Sequence, residues 1–448
     1  MFLLGFKLSF DIIENNYYCH PIALLYVTLQ HMLVNIQNSN EPQSNKPSLK
    51  ALFSLGFRPL YLSAALWSII SIILWIYVPA SLKGPMTASY WHAHEMLWGV
   101  VITIAVAFLL TASATWTGRN PAQGRTLMII VLLWWVSRFL LLIPNDIAFK
   151  IGMVTEFSFF ASSAYRLWAV VWSTKNKRNY ILPFVLLVLA FLDLGYLYSV
   201  LNGDYIGVSR YLDFGFIGMA YIALMIARRV LPFFASRGAN IEIPNHQNSG
   251  SLQLSLMVAT FAASVLGLHL VAAGGVIATG LISIFQLSQW KPHKVVRIPL
   301  LWVLYISYFF LGLGLIFSGV YFLLSPSYAA LVEAWGTQNN LAFMLSRPAF
   351  HLHVIGMGGF AVMIIGMLTR TSLGHTGQPL KADRWMVWMY ISLLIAFVIR
   401  MSGLYPSNII LAFWHAAALF WIIAFGLFLY RFTPLLIKPR ADRFRSKK

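Results

Sequence analysis

The sequence predicts an all-α, polytopic integral membrane protein of twelve transmembrane helices with both termini cytoplasmic, and three observations carry that expectation. Of the 448 residues, 59% are hydrophobic and 10% charged, more apolar surface than a soluble globule of this length can hide. Apolar runs of about twenty residues, the length that crosses roughly 30 Å of hydrocarbon, recur along the chain. Lys and Arg collect in alternate gaps between those runs, as cytoplasmic loops require.

Taken in order, residues 1–50 form an N-terminal extension and residues 51–448 the membrane domain. Apolar and polar side chains mix over 1–35 without a full span, and Asn35 to Lys50 is rich in Asn, Gln, Ser and Pro, the composition of a poorly ordered tether. Lys7, Asp11 and Glu14 interrupt the apolar stretch a signal peptide needs, and Met32 offers a second start. Spans are expected near 60–80, 91–113, 126–143, 147–172, 181–201, 208–231, 251–273, 275–290, 299–324, 342–368, 384–403 and 407–430, with Gly274-Gly275 separating the seventh from the eighth. With cytoplasmic termini, the two tails and the loops after even-numbered helices hold 25 Lys and Arg against five on the other side. A miscounted helix would scramble that asymmetry. The formal charge of +19 therefore reads as a topology signal, and no nucleic-acid partner is expected.

The single cysteine, Cys19, excludes an intrachain disulfide, covalent haem attachment and a cysteine-based copper centre. Any haem is then non-covalent, and any copper is held by His or Met. Two strings stand out against this background. His92-Ala93-His94 and His351-Leu352-His353 lie 259 residues apart, and each is followed at the same distance by Thr-Gly, Thr117-Gly118 and Thr376-Gly377. A His pair written twice in one register points to an internal repeat that carries metal ligands.

The predicted topology puts His92 and His94 at the outer mouth of helix two, and His351 and His353 about 14–17 Å into helix ten. His415 falls about 12 Å below the outer end of helix twelve, and His269 about 8 Å from the outer end of helix seven. One intramembrane His is adequately explained by a bond to a neighbouring carbonyl. Six at similar depth favour a shared metal, which satisfies several imidazoles together. Residues i and i+2 diverge by about 200° around a helix, so one His of each pair faces the ligand and the other serves a second site.

Arg138 and Arg400 occupy the outer ends of helices three and eleven, where arginine needs a partner. Haem propionates would suit the guanidinium fork, and ion pairs with Glu95, Glu156, Asp193 or Asp213 serve equally well; those acids also suit a proton relay. Arg138, His269 and Arg400 are spaced 131 and 131 residues apart, which extends the apparent repeat to three four-helix units. His375, in Ser372-Leu373-Gly374-His375-Thr376-Gly377-Gln378-Pro379, belongs to a shaped loop at the cytoplasmic end of helix ten. A capping role is expected there, with a second haem or a quinol contact as the alternative.

Several strings together resemble the NnrS family of bacterial inner-membrane proteins: Phe57-Arg58-Pro59, Trp91-His92-Ala93-His94-Glu95-Met96-Leu97, Trp116-Thr117-Gly118-Arg119, Arg228-Arg229-Val230-Leu231-Pro232-Phe233-Phe234, and Met367 through Leu380. The resemblance covers roughly residue 51 to the end. It implies a twelve-helix, multi-pass protein of the lipid bilayer that binds haem b and copper and is associated with nitric oxide exposure and nitrosative stress. Family ligands map onto His92, His94 and His351; His353 stands where an apolar residue is expected in relatives.

Three functions remain open on the sequence. One is a haem–copper protein that binds nitric oxide and either reduces it or limits its damage, with quinol or a periplasmic electron donor supplying any electrons. Another is a twelve-helix transporter with a non-metal His site. Against it, Thr115 to Thr126 has no acidic residue of the major-facilitator loop signature, and the repeat unit is four helices rather than six. The third is a structural or assembly role in which the histidines only join helices.

Overall fold

The computed structural model describes residues 46–441 apart from 245–246, 325–344, 346 and 406. The extension expected over 1–50 therefore lies outside the described residues up to position 45, and so do the first residues of the tenth expected span. Among the described residues there are helices and turns but no strands. Twelve long helices follow one another there: α1 Phe57–Ile76, α2 Ala88–Thr117, α3 Gly124–Leu140, α4 Asp146–Ser173, α5 Ile181–Leu201 and α6 Tyr205–Ala239. The second half comprises α7 Gln247–Val265, α8 His269–Gln289, α9 Pro299–Leu324, α10 Pro348–His375, α11 Arg384–Ser402 and α12 Ile410–Leu436.

Among the described residues, nine of these helices are long and apolar enough to cross a membrane. The other three differ for identifiable reasons. α3 has 17 residues, about 25 Å at 1.5 Å per residue; α4 carries Asp146, Lys150, Glu156 and Arg166; and α7 opens on the polar run Gln247-Asn248-Ser249-Gly250-Ser251.

Side-chain caps set several starts. Asn145 accepts from the Ile147 and Ala148 amides at α4, Asp204 from Gly207 at α6, and Asp383 from Met386 at α11, each satisfying an otherwise orphaned amide. Both Thr-Gly strings end a helix as a left-handed glycine does: φ is 68° at Gly118 and 73° at Gly377.

Several helix ends differ from expectation by a few residues, α6 running on to Ala239 and α12 to Leu436, and one boundary moves a candidate site residue. The break between α7 and α8 falls at Leu266-Gly267-Leu268, with Gly267 at φ 72°, while Gly274-Gly275 lies inside α8. An apolar run with no charged residue at the break gave no hydropathy signal there. His269 consequently opens α8 instead of sitting within helix seven, a different helix from the one its spacing to Arg138 and Arg400 requires.

Consecutive helices pack against each other, α2 and α3 being joined through the Trp134–Thr103 and Arg138–Glu95 side-chain bonds, and α12 returns to α1. That closure is hydrogen-bonded: the Arg58 guanidinium donates to the Leu436 and Lys438 carbonyls at 2.8 and 2.6 Å, and the Ser48 amide to the Ile437 carbonyl at 3.0 Å. Of the nine apolar helices, α2 and α10 are the most thoroughly buried. Each contains an eight-residue π-helical stretch that begins directly after its second histidine, Glu95–Ile102 in α2 and Val354–Ala361 in α10. The two stretches pack against one another. Wide turns of this kind concentrate at functional sites, and here they form the junction at which the two His strings meet.

Candidate metal centre

Two groups of polar side chains, one half-buried to buried and the other fully buried, flank that junction. His92 and His94 leave α2 in different directions, as a spacing of two residues on a helix demands, and each joins a different group.

The first group gathers His92, His351, His353 and Arg400. The His92 ring stacks on Trp75 of α1 with centroids 5.0 Å apart and planes within 8°. The charge of Arg400 acts on His92, and His353 lies within electrostatic reach of His92, His351 and Arg400. The His353 Nδ1–H donates to the Ala349 carbonyl at 2.6 Å, and its Nε2 accepts from Arg400 Nε at 3.2 Å, so both of its ring nitrogens are engaged. Arg400 also lies over the Trp414 ring, 5.1 Å from the centroid, and has Arg347 within electrostatic reach.

His351 is 1% exposed and stacks on Tyr321 of α9 at 4.5 Å. Among the described residues, both His351 ring nitrogens, His92 Nδ1 and Arg400 Nη1 have no hydrogen-bond partner. Buried polar atoms without partners are costly. Four in one neighbourhood describe a site with donors and acceptors to offer a ligand: imidazole nitrogens for a metal and a guanidinium edge for an anion.

The second group is an ionic network among helices α1 to α5. Arg138 of α3 pairs with Glu95 through Nη1 at 2.5 Å and with Glu156 of α4 through Nη2. Glu95 accepts from Trp67 Nε1 at 2.5 Å and lies 3.0 Å from His94 Nδ1. On the other side of the imidazole, His94 Nε2 is 2.9 Å from Asp193 Oδ1 of α5 and 3.6 Å from Glu156 Oε2. All five side chains of the network are at most 1% exposed. The rings of Trp98 and Tyr196 each pack on the His94 ring at 5.5 Å and lie 5.2 Å from one another.

Gly99 makes the network possible. A Cβ at that position would stand 2.5 Å from Glu95 Oε2 and 2.6 Å from Arg138 Nη1. His94, Glu156 and Asp193 each offer one ligand atom, and the three atoms lie within 4.8 Å of one another.

The other residues that the sequence singled out sit elsewhere or serve another purpose. Arg138 is held by carboxylates, the ion-pair arrangement rather than one open to a propionate. His269 is exposed at the start of α8. His415 is half-buried with its ring 5.2 Å from Tyr77, whose hydroxyl donates to the His415 carbonyl; this contact ties the end of α1 to α12. His375 packs 5.5 Å from Phe57 with Arg58 and Arg440 nearby, at the opposite end of α10 from His351. Asp193 and Glu156 are the most consequential residues that the sequence did not mark as ligands. Isolated acids inside apolar runs were their signal, but nothing in the sequence said that both approach one histidine.

Residues 51–440 match the family model described as NnrS protein. No curated protein matches the chain.

Proposed function

Because the chain belongs to the NnrS family, we propose that it is a multi-pass haem- and copper-binding protein of the bacterial inner membrane that handles nitric oxide and protects against nitrosative stress. In this reading all twelve long helices span the bilayer with cytoplasmic termini, which agrees with the distribution of Lys and Arg. α2 and α10 are the corresponding members of an internal repeat. Support for the repeat comes from the π-helical stretches, whose starts at 95 and 354 keep the offset of the His strings.

The observation that carries the reading is the convergence of His92, His351, His353 and Arg400 at the α2–α10 junction, with unpartnered nitrogens on His92, His351 and Arg400. His92 and His351 are the ligands best suited to a metal, since neutral imidazole nitrogens serve both haem iron and copper. Arg400 suits a haem carboxylate, for which its unpaired Nη1 is available. His353 acts through Arg400: by accepting from Nε it holds the guanidinium plane, and by donating to Ala349 it fixes its own tautomer. A ferrous haem in this group would supply an open coordination position at which nitric oxide binds. Trp75 and Tyr321 stack on the two imidazoles and set the planes of their rings.

Purified protein tests the reading. A Soret band, copper retained in fixed ratio to the chain and a spectral shift on adding nitric oxide are expected, all diminished in His92→Ala and His351→Ala. A colourless, copper-free preparation from haem- and copper-replete cells contradicts it. Assay of N₂O with a quinol analogue or a reduced periplasmic-type donor then separates turnover from binding. N₂O formed in wild type and lost in those variants makes the protein a nitric oxide reductase; none formed, with growth under nitric oxide still dependent on the protein, makes it protective by binding.

A further inference from the structure

We propose that His94, Glu156 and Asp193 form a second metal site, specific for a divalent first-row cation with nitrogen and oxygen ligands and separate from the His92–His351–Arg400 group. The geometry argues for it first. Ligands about 2.1 Å from a metal stand about 3.0 Å apart at octahedral and about 3.4 Å apart at tetrahedral angles. The separations from His94 Nε2, 2.9 Å to Asp193 Oδ1 and 3.6 Å to Glu156 Oε2, bracket those values. At 3.6 Å, Glu156 Oε2 is too far for a hydrogen bond to the imidazole. Neither that oxygen nor Asp193 Oδ2 has any hydrogen-bond partner among the described residues, although both side chains are at most 1% exposed.

The surroundings argue for it second. Glu95 stands 3.0 Å from His94 Nδ1 on the side away from the two acids. A proton on Nδ1 is thereby directed to a carboxylate, the usual outer-shell arrangement of a metal-binding histidine, and a metal would take the place of the proton that Nε2 shares with Asp193 Oδ1 at 2.9 Å. Glu95 is itself held by Trp67 and Arg138, and Trp98 and Tyr196 fix the ring plane.

Charge argues for it third. When a metal replaces the proton that Nε2 shares with Asp193, three carboxylates and one guanidinium leave two negative charges, buried away from bulk water, for it to balance. Uncompensated charge there is strongly unfavourable, and one divalent cation neutralises it. One nitrogen and two carboxylates suit Mn(II), Fe(II) or Zn(II) rather than the softer Cu(I).

The test uses the full-length protein in detergent, stripped by chelator and reloaded with Mn²⁺ or Zn²⁺ as probes. One ion bound per chain, beyond any haem iron and copper, is the expected result, with affinity for it lowered about tenfold or more in Asp193→Asn and Glu156→Gln. His92→Ala should lose haem or copper and keep this ion, so failure of the preceding proposal and failure of this one are distinguishable. Should the acid variants not fold, X-ray absorption on Zn²⁺-loaded wild type decides: a shell of one imidazole with carboxylate oxygens supports the site. No ion bound, undiminished affinity in folded acid variants, or a shell built only of imidazoles overturns it and leaves the network as an ion-pair cluster.

Discussion

Removing Arg138 tests whether the network among α1 to α5 is a structural keystone. Its guanidinium bridges Glu95 and Glu156 with all three side chains at 0% exposure, so Arg138→Met leaves two carboxylates facing each other and Asp193 beyond them. Deleting one partner of a buried pair costs about 3–5 kcal/mol, most of it from the stranded charge. Trp67 still donates to Glu95 but brings no charge. The pair Arg431–Asp383 provides an internal control: it lies at 2.6 Å with side chains 31% and 33% exposed, and Arg431→Met should cost about 1 kcal/mol or less. Equilibrium unfolding in mixed micelles, followed by tryptophan fluorescence, measures both, because Trp67, Trp98 and Trp134 surround the network. Adding Glu95→Gln to Arg138→Met should recover part of the loss, as removal of a stranded charge requires. If Arg138→Met loses no more than Arg431→Met, the network is not the buried ionic cluster described here.

Further outcomes follow from the same contacts. Gly99→Ala should destabilise the protein by about 1–3 kcal/mol in the same unfolding assay, since the added methyl meets Glu95 and Arg138 at 2.5 and 2.6 Å in a packed interior. His353→Leu should retain colour better than His351→Ala in the absorption spectrum, because both His353 nitrogens are engaged by Ala349 and Arg400. His269→Ala, His375→Ala and His415→Ala should leave the Soret band and the copper content of purified protein unchanged, given their positions away from the α2–α10 junction.

The all-helical architecture was legible from the length and spacing of the apolar runs, because a membrane span imposes length and composition together. The α7–α8 break was not. Leu266-Gly267-Leu268 interrupts the helix by backbone conformation without interrupting hydropathy, and the Gly274-Gly275 pair, which looked like punctuation, lies within α8. That one misplacement moved His269 to another helix and with it the spacing that suggested three repeats. Within the site, the divergence of His92 from His94 followed from the angle between alternate residues of a helix. Which way each turned did not: it depends on Trp75 and Arg400 on one side and Asp193, Glu156 and Arg138 on the other, contributed by α1, α11, α5, α4 and α3. The two readings of Arg138 were equal in the sequence for the same reason, and only tertiary proximity to Glu95 and Glu156 separates them.

The central claim is that His92 and His351, far apart in the chain, hold redox-active metal together beside Arg400. Anomalous scattering at the iron and copper edges from crystals of the full-length, cofactor-replete protein tests it most directly. The account predicts iron or copper peaks within about 2.0–2.3 Å of a ring nitrogen of each of these histidines, at the junction of the two π-helical stretches. Iron and copper found only elsewhere, with both imidazoles uncoordinated, would contradict it.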